Sequence, residues 1–475
     1  MDTNMKKSIL GLVLLFMVAS FTSCTKEYIT VAPTEDPDTS TYTVMMYGCG
    51  GRDLDAAMVM NIQEALLEGA TDRVNFTGQI KFSARYHQVE ELSGTQRFIV
   101  GEAGETWYEP VEVLDSNIQL YDPQNLTDFI NWSKQQCPAD EYILILWNHG
   151  GAWLPSDDYS SDSRAIVYDD MYDMVGLSLD NLVKGINNSN TKFKMIYFDA
   201  CLMGMIEVIS GLTDCAEYTM AASHVTPGIG GDYNSLIHHL DQSTNFEQSM
   251  KEYCRETVSH WEPTKMPLDL MVVNNSKMDA LLNEISLLSG YLEDIAKIYA
   301  NYDKVNDAKD VNKTNLYMAF KDAITSCYHY DWEYEADGSA HYPFYDILDF
   351  VECLSSGGTN SYSAKLIDIS SRINRAFTDV IVCKQLTAPI SHKNLTMGIT
   401  IIDKYQWKKQ KYDPAYYGLV FQDKTNWGNW LEINPVAPKD NPNPLTYYGN
   451  PEMGDEPLFS LQEEIDYILN LIGKK

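Results

Sequence analysis

Tyr142-Ile143-Leu144-Ile145-Leu146-Trp147-Asn148-His149-Gly150-Gly151 and Lys194-Met195-Ile196-Tyr197-Phe198-Asp199-Ala200-Cys201-Leu202-Met203-Gly204 are the stretches that decide the fold. Each holds a near-continuous apolar run of strand length. Such a run suits a strand covered on both faces, as in a parallel sheet. One run ends on His149 and the other on Cys201. In open α/β sheets the C-terminal ends of the strands form the rim where ligands bind. A His at one such end and a Cys at the next make a candidate nucleophile pair.

The flanking sequence supports the same layout. Residues 42–47 read as an opening strand, followed by a Gly-rich turn and a helix with Val59, Ile62 and Leu66 on its apolar face. The turn carries neither Gly-x-Gly-x-x-Gly nor Gly-Lys-Ser/Thr, so it does not read as a nucleotide cradle. Residues 74–86 and 97–100 read as further strands, and 126–136 as a helix. Beyond the Cys-bearing run, 205–212 reads as a helix and 218–222 and 268–273 as strands. Ser276 reads as the N-cap of a long amphipathic helix. This alternation predicts an α/β fold with a parallel or mixed sheet. In the last third, 345–353 and 364–377 read as helices, 394–402 as a strand able to join the sheet, and 458–471 as an amphipathic helix. Residues 153–164 are polar and read as a surface loop open to cleavage.

Composition narrows the function. A formal net charge of −32 over 475 residues argues against a nucleic-acid partner, whose phosphates need clustered Lys and Arg. It tolerates cationic peptides. At the N-terminus, Lys6 and Lys7 precede a short apolar run that ends at Phe21-Thr22-Ser23-Cys24. Small residues before a Cys resemble a lipoprotein cleavage site, with Cys24 taking the lipid. The expectation is an exported protein, anchored in a membrane through Cys24, with residues 25–41 as a flexible tether. The other eight cysteines show no Cys-x-x-Cys and no regular spacing, so neither a zinc site nor a disulfide framework is signalled.

A thiol peptidase needs a thiolate, a proton donor for the departing amine, and donors for the oxyanion. Cys201 sits at a strand-to-helix corner and His149 can supply the proton. Gly150 and Gly151 leave the backbone bare, so the N–H groups of Gly150 and Cys201 are the candidate oxyanion donors. No third, orienting carboxylate is evident. Asp199 lies two residues before Cys201, so on a strand their side chains would share a face. A carboxylate there would raise the thiol pKa, and it makes better sense at the base of a pocket for a cationic side chain. The rival reading is a non-catalytic surface lipoprotein that binds glycans or proteins. It draws on the 31 Tyr and 9 Trp, including Trp407, Trp427 and Trp430.

Trp147-Asn148-His149-Gly150-Gly151-Ala152-Trp153 and Phe198-Asp199-Ala200-Cys201-Leu202-Met203-Gly204-Met205-Ile206-Glu207 resemble the clostripain-type cysteine peptidases, which share a fold with caspases, legumain and gingipains. The resemblance extends to Val44-Met45-Met46-Tyr47, to Phe344-Tyr345-Asp346-Ile347-Leu348-Asp349-Phe350, and to residues 417–430. It implies a caspase-like α/β/α sandwich with a mostly parallel central sheet. Residues 42–275 would form the catalytic domain, and 276–475 a mixed, α-rich C-terminal region packed on it. It implies a Cys201–His149 dyad and polypeptide substrates with Arg or Lys before the cut. Asp199 would lie in the specificity pocket, with Asp232 as a second acid. It also implies self-cleavage between the two catalytic residues, for which Arg164 is the best-placed basic residue. The chemistry requires no cofactor. Some relatives need calcium, and Asp157, Asp158, Asp162, Asp169 and Asp170 are candidate ligands, with a solvated loop as the plainer reading. One departure stands out: His224 occupies a position where relatives commonly carry an acid, and the plain alternative for it is a solvated loop residue.

Overall fold

The computed structural model describes residues 42–51, 54–84, 92–105, 107–154, 166–303, 306, 309–330, 343–356, 362–392 and 394–436. The leader and Cys24, the tether, Arg164, Asp157, Asp158, Asp162 and the helix expected at 458–471 lie outside these residues. In chain order the strands are β1 (Tyr42–Cys49), β2 (Val74–Lys81), β3 (Thr95–Ile99), β4 (Pro110–Leu114), β5 (Glu141–Trp147), β6 (Ile166–Asp169) and β7 (Val175–Leu177). They continue as β8 (Phe193–Asp199), β9 (Ala216–Ala221), β10 (Asp269–Asn274), β11 (His329–Tyr330), β12 (Phe344–Asp346), β13 (Ile381–Leu386) and β14 (Gly398–Thr400).

Nine of these form one sheet in the order β13-β10-β9-β8-β5-β1-β2-β3-β4. The central pairings, from β9 through β8, β5 and β1 to β2, are parallel. Both flanks are antiparallel. The apolar runs explain the layering. In β5, Ile143, Ile145 and Trp147 enter one apolar cluster while Leu144 and Leu146 enter the other. Burying each such side chain on folding is worth about 1.5–3 kcal/mol. The first layer is covered by helices Asp55–Glu68, Tyr233–Gln242 and Phe246–Trp261. The second is covered by Pro123–Gln136, Leu179–Asn188 and Met278–Tyr299, with Val311–Ser326, Ile347–Ser356 and Ser363–Val380 extending its cluster.

The later chain departs from the sequence reading in four places. The strand expected at 394–402 does not join the main sheet. It shortens to β14, which pairs with β12 in a separate three-stranded sheet. The last third enters the main sheet instead through β13, paired antiparallel with β10. Ser276 is not the N-cap: Asn274 accepts its N–H at 3.1 Å, and the long helix begins at Met278 after a tight turn. The helix expected at 205–212 is a short one, Ile206–Ile209, that tightens into a 3-10 turn. Trp407, Trp427 and Trp430 are fully buried, so they build the core and offer no stacking surface to a sugar.

Candidate active site

Trp147 of β5 pairs with Asp199 of β8, and both strands end at that pair. His149 and Cys201 each follow two residues later. The two corners therefore leave adjacent strands at one level of one rim, and both residues are half-buried. The Gly150 backbone lies close against Cys201. A Cβ on Gly150 would overlap the Cys201 carbonyl and stand 3.1 Å from the Cys201 nitrogen, so only glycine fits. The Asn148 N–H donates to the Asp199 carbonyl at 3.4 Å.

Asn148 fixes the His-bearing turn from the other side. Its Nδ2 donates to the Cys49 carbonyl at 2.7 Å, and its Oδ1 accepts the Tyr168 N–H at 2.7 Å. Gly150 also forms an antiparallel bridge with Ile166, the first residue of β6. Ala152, Val167 and Leu202 all have positive φ, at 55°, 56° and 63°. For side chains with a Cβ this costs about 1–2 kcal/mol each, and here it flanks both corners.

The Cys201 sulfur lies against the loop that follows β9. The Thr226 N–H donates to Sγ at 3.3 Å, and the Thr226 Oγ1 and carbonyl oxygen stand 3.6 and 3.8 Å away. Leu202 donates its N–H to the His224 carbonyl at 2.9 Å. His224 is fully buried, which overturns the solvated-loop alternative. Its ring meets the Tyr328 hydroxyl at 2.9 Å, and its backbone N–H donates to Asp269 at 2.8 Å.

Asp199 does not share a face with Cys201. The strand ends at Asp199, so the period of two does not carry across the corner. Cys201 packs against the layer that contains Phe198. The Asp199 carboxylate turns to the opposite layer, where Oδ2 accepts the Gly231 N–H at 2.8 Å and the Tyr233 hydroxyl at 2.7 Å. Burial pushes the Asp199 pKa up, and these two neutral donors only partly offset it. Among the described residues no Lys or Arg pairs with it.

Asp232 is the N-cap of helix Tyr233–Gln242, accepting the Ser235 N–H at 3.1 Å. The sequence reading passed over Glu64, which lies beside these acids. Its Oε2 accepts the Asn61 Nδ2 at 3.1 Å and the Tyr233 N–H at 3.2 Å. Burial first, with Asp232 and Asp199 adding, pushes Glu64 up to about 8. Its signal in the sequence was faint: an acid in the same helix as Asn61, itself a buried polar residue. Asp169 and Asp170 are engaged elsewhere. Asp169 pairs with Lys81 at 2.6 Å, and Asp170 accepts the Ala84 N–H at 3.1 Å. No group of three metal-ligating side chains occurs among the described residues.

Comparison with known proteins agrees with this arrangement. Clostripain of Hathewaya histolytica is 23% identical over 465 residues, covering 82% of this chain and 86% of that one. An inactive zymogen C11 protease from Parabacteroides distasonis superposes with a TM-score of 0.57 at 17% identity, covering 82% of this chain and 99% of that one. A secreted C11 cysteine protease from Bacteroides thetaiotaomicron, iotapain, gives 0.56 at 16% identity, with 82% and 100% covered. These likenesses carry the caspase-like fold. The clostripain family model matches residues 89–433, and the chain belongs to that family of cysteine peptidases.

Proposed function

We propose that the chain is a Cys–His endopeptidase that cuts after Arg or Lys. The observation that carries the dyad is the β5–β8 register, which brings the His149 and Cys201 corners side by side with the Gly150 backbone against Cys201. The Cys201 thiolate attacks the scissile carbonyl, forming an S–C bond and an oxyanion held by the N–H groups of Gly150 and Cys201. The His149 imidazolium gives its proton to the leaving amine, and the acyl group stays on sulfur as a thioester. His149 then takes a proton from water as its oxygen attacks the thioester; the C–S bond breaks, the acyl part leaves as a carboxylic acid, and the Cys201 thiolate and His149 imidazolium are restored. No step uses a metal. The calcium candidates Asp157, Asp158 and Asp162 lie outside the described residues, while Asp169 pairs with Lys81 and Asp170 accepts the Ala84 N–H.

The basic preference is supported by Asp199, a buried carboxylate with neutral hydrogen-bond donors and no cation paired to it among the described residues. Asp232 lies nearby, as does Glu64, whose carboxyl burial pushes up to about 8. The test is hydrolysis of reporter peptides ending in Arg, Lys, Gln or Leu, with Cys201→Ala alongside. Cleavage confined to Arg and Lys in the parent, and none in the variant, is expected. Equal rates in the two proteins remove Cys201 from the mechanism.

The same reading includes self-cleavage after Arg164 and export with a lipid on Cys24. Arg164→Ala should leave one intact band, and an active preparation of the parent with Arg164 still joined to Ala165 would count against processing there. Cys24→Ser should release the protein from the membrane fraction.

A further inference from the structure

We propose that the backbone N–H of Thr226, which donates to the Cys201 sulfur, stabilises the thiolate and so acts as a catalytic donor in its own right. The inference rests on Cys201 being the nucleophile.

The geometry is specific. The Thr226 N–H reaches Sγ at 3.3 Å, within range for sulfur, while its hydroxyl stands farther off at 3.6 Å and its carbonyl oxygen, which could accept only from the thiol form, farther still at 3.8 Å. A hydrogen bond to an ionised acceptor is roughly twice as strong as one to a neutral acceptor, so this contact favours the thiolate over the thiol. The donor is a main-chain group, which explains why no side chain in the sequence announced it.

The loop that carries the donor is held rigidly from behind. The Asp269 carboxylate accepts the N–H groups of Ser223 at 3.0 Å and His224 at 2.8 Å. Lys384 of β13 pairs with Asp269 at 2.9 Å, and both side chains are buried. The Lys384 Nζ also reaches the Ser223 hydroxyl at 3.3 Å and the Tyr330 hydroxyl at 3.2 Å. Pro227 follows Thr226 and restricts its backbone. A donor fixed in this way needs little reorganisation when the sulfur ionises. The titratable groups around this corner are His149 on the turn after β5, Asp199 on the opposite layer, His224 in the same loop, and the Asp269–Lys384 pair behind it.

The experiment follows the wild-type Thr226 amide by NMR with selectively labelled threonine, its resonance assigned by its loss in Thr226→Ser. Thiolate formation is followed in parallel by absorbance near 240 nm. The expected result is an amide proton shift with the same pH midpoint as the thiolate, absent in Cys201→Ser, which keeps His149. An amide that does not respond to the thiolate overturns the proposal, even if Cys201→Ala is inactive; the nucleophile assignment would then stand alone. Thr226→Pro, which removes the N–H, should raise the thiolate midpoint by about one unit and lower kcat about tenfold with KM nearly unchanged. Thr226→Val keeps the N–H and should leave the midpoint in place. A folded Thr226→Pro with the wild-type midpoint would also overturn the proposal.

Discussion

Asp199 and Asp269 are both buried aspartates close to the Cys201 corner, yet burial has opposite outcomes for them. Asp199 receives only neutral donors, and burial carries its pKa upward. At Asp269 burial also pushes upward, but Lys384 and His224 outweigh it and hold the carboxyl below its usual range. Asp269 already has its cation, and its task is to hold the loop. Asp199 has none among the described residues, and the function proposed above would supply one from the substrate. Burial pushes a carboxyl without a cation toward its protonated form, and a cation arriving beside it would draw the charge back.

The largest effect tests the setting of that comparison. Cys201→Ala should lower kcat/KM by about 10,000-fold or more while leaving both carboxylate networks folded, as should His149→Ala. Kinetics with an Arg reporter, beside a melting curve, check both halves. Next comes Asp269→Asn, which leaves the buried Lys384 without its anion. The expected cost is about 3–5 kcal/mol of stability by urea unfolding. Asp199→Asn should behave in the opposite way. Asn still accepts from Gly231 and Tyr233, so stability should hold or rise. The Arg and Lys reporters should lose about 100-fold in kcat/KM, with Gln and Leu reporters little changed. A destabilised Asp199→Asn that keeps its basic preference would show that the two aspartates do one job.

The rim where these residues meet was legible in the sequence because β5 and β8 are buried on both faces. Their apolar runs state their length and end, and His149 and Cys201 follow directly. The parallel register then brings the corners together without further information. What surrounds the sulfur was not legible. Thr226 acts through its backbone, and Asp269 and Lys384 become neighbours only when β10 pairs with β13. β13 itself reads Ile381-Val382-Cys383-Lys384-Gln385-Leu386, a mixed edge strand that follows a helix without a turn signal. The facing of Asp199 was misread for a local reason: the left-handed Leu202 belongs to a corner, where strand periodicity no longer applies.

Glu207 extends the comparison to a third buried carboxylate. Its Oε1 accepts the Thr400 N–H at 2.8 Å and the Tyr416 hydroxyl at 3.2 Å, while Oε2 has no hydrogen-bond partner among the described residues. Like Asp199 it has neutral donors only, and burial pushes it from an ordinary 4.5 up to about 7. The folded protein therefore holds a proton that the unfolded chain releases above 4.5. Stability from this group is full below that pH, falls as pH rises, and is lost once pH passes about 7. Urea unfolding should show a decline between pH 5 and 8 to which Glu64 also contributes, and Glu207→Gln should remove on the order of 2 kcal/mol of it. An unchanged slope in Glu207→Gln would assign the decline to other groups.

Asp232 gives the smallest effect and the finest division of roles. It caps helix Tyr233–Gln242 through the Ser235 N–H, and its charge lies near enough to Glu64 to raise that group's pKa. Asp232→Ala removes cap and charge together and should cost about 1 kcal/mol of stability. Asp232→Ser keeps a capping oxygen, so its stability should stay within about 0.5 kcal/mol of the parent. Its kcat/KM on the Arg reporter should fall only about threefold, because a half-exposed charge is screened where the buried Asp199 is not. A loss in Asp232→Ser as large as that in Asp199→Asn would place the main cation contact at the cap of the helix, and Asp199 would then serve the loop as Asp269 does.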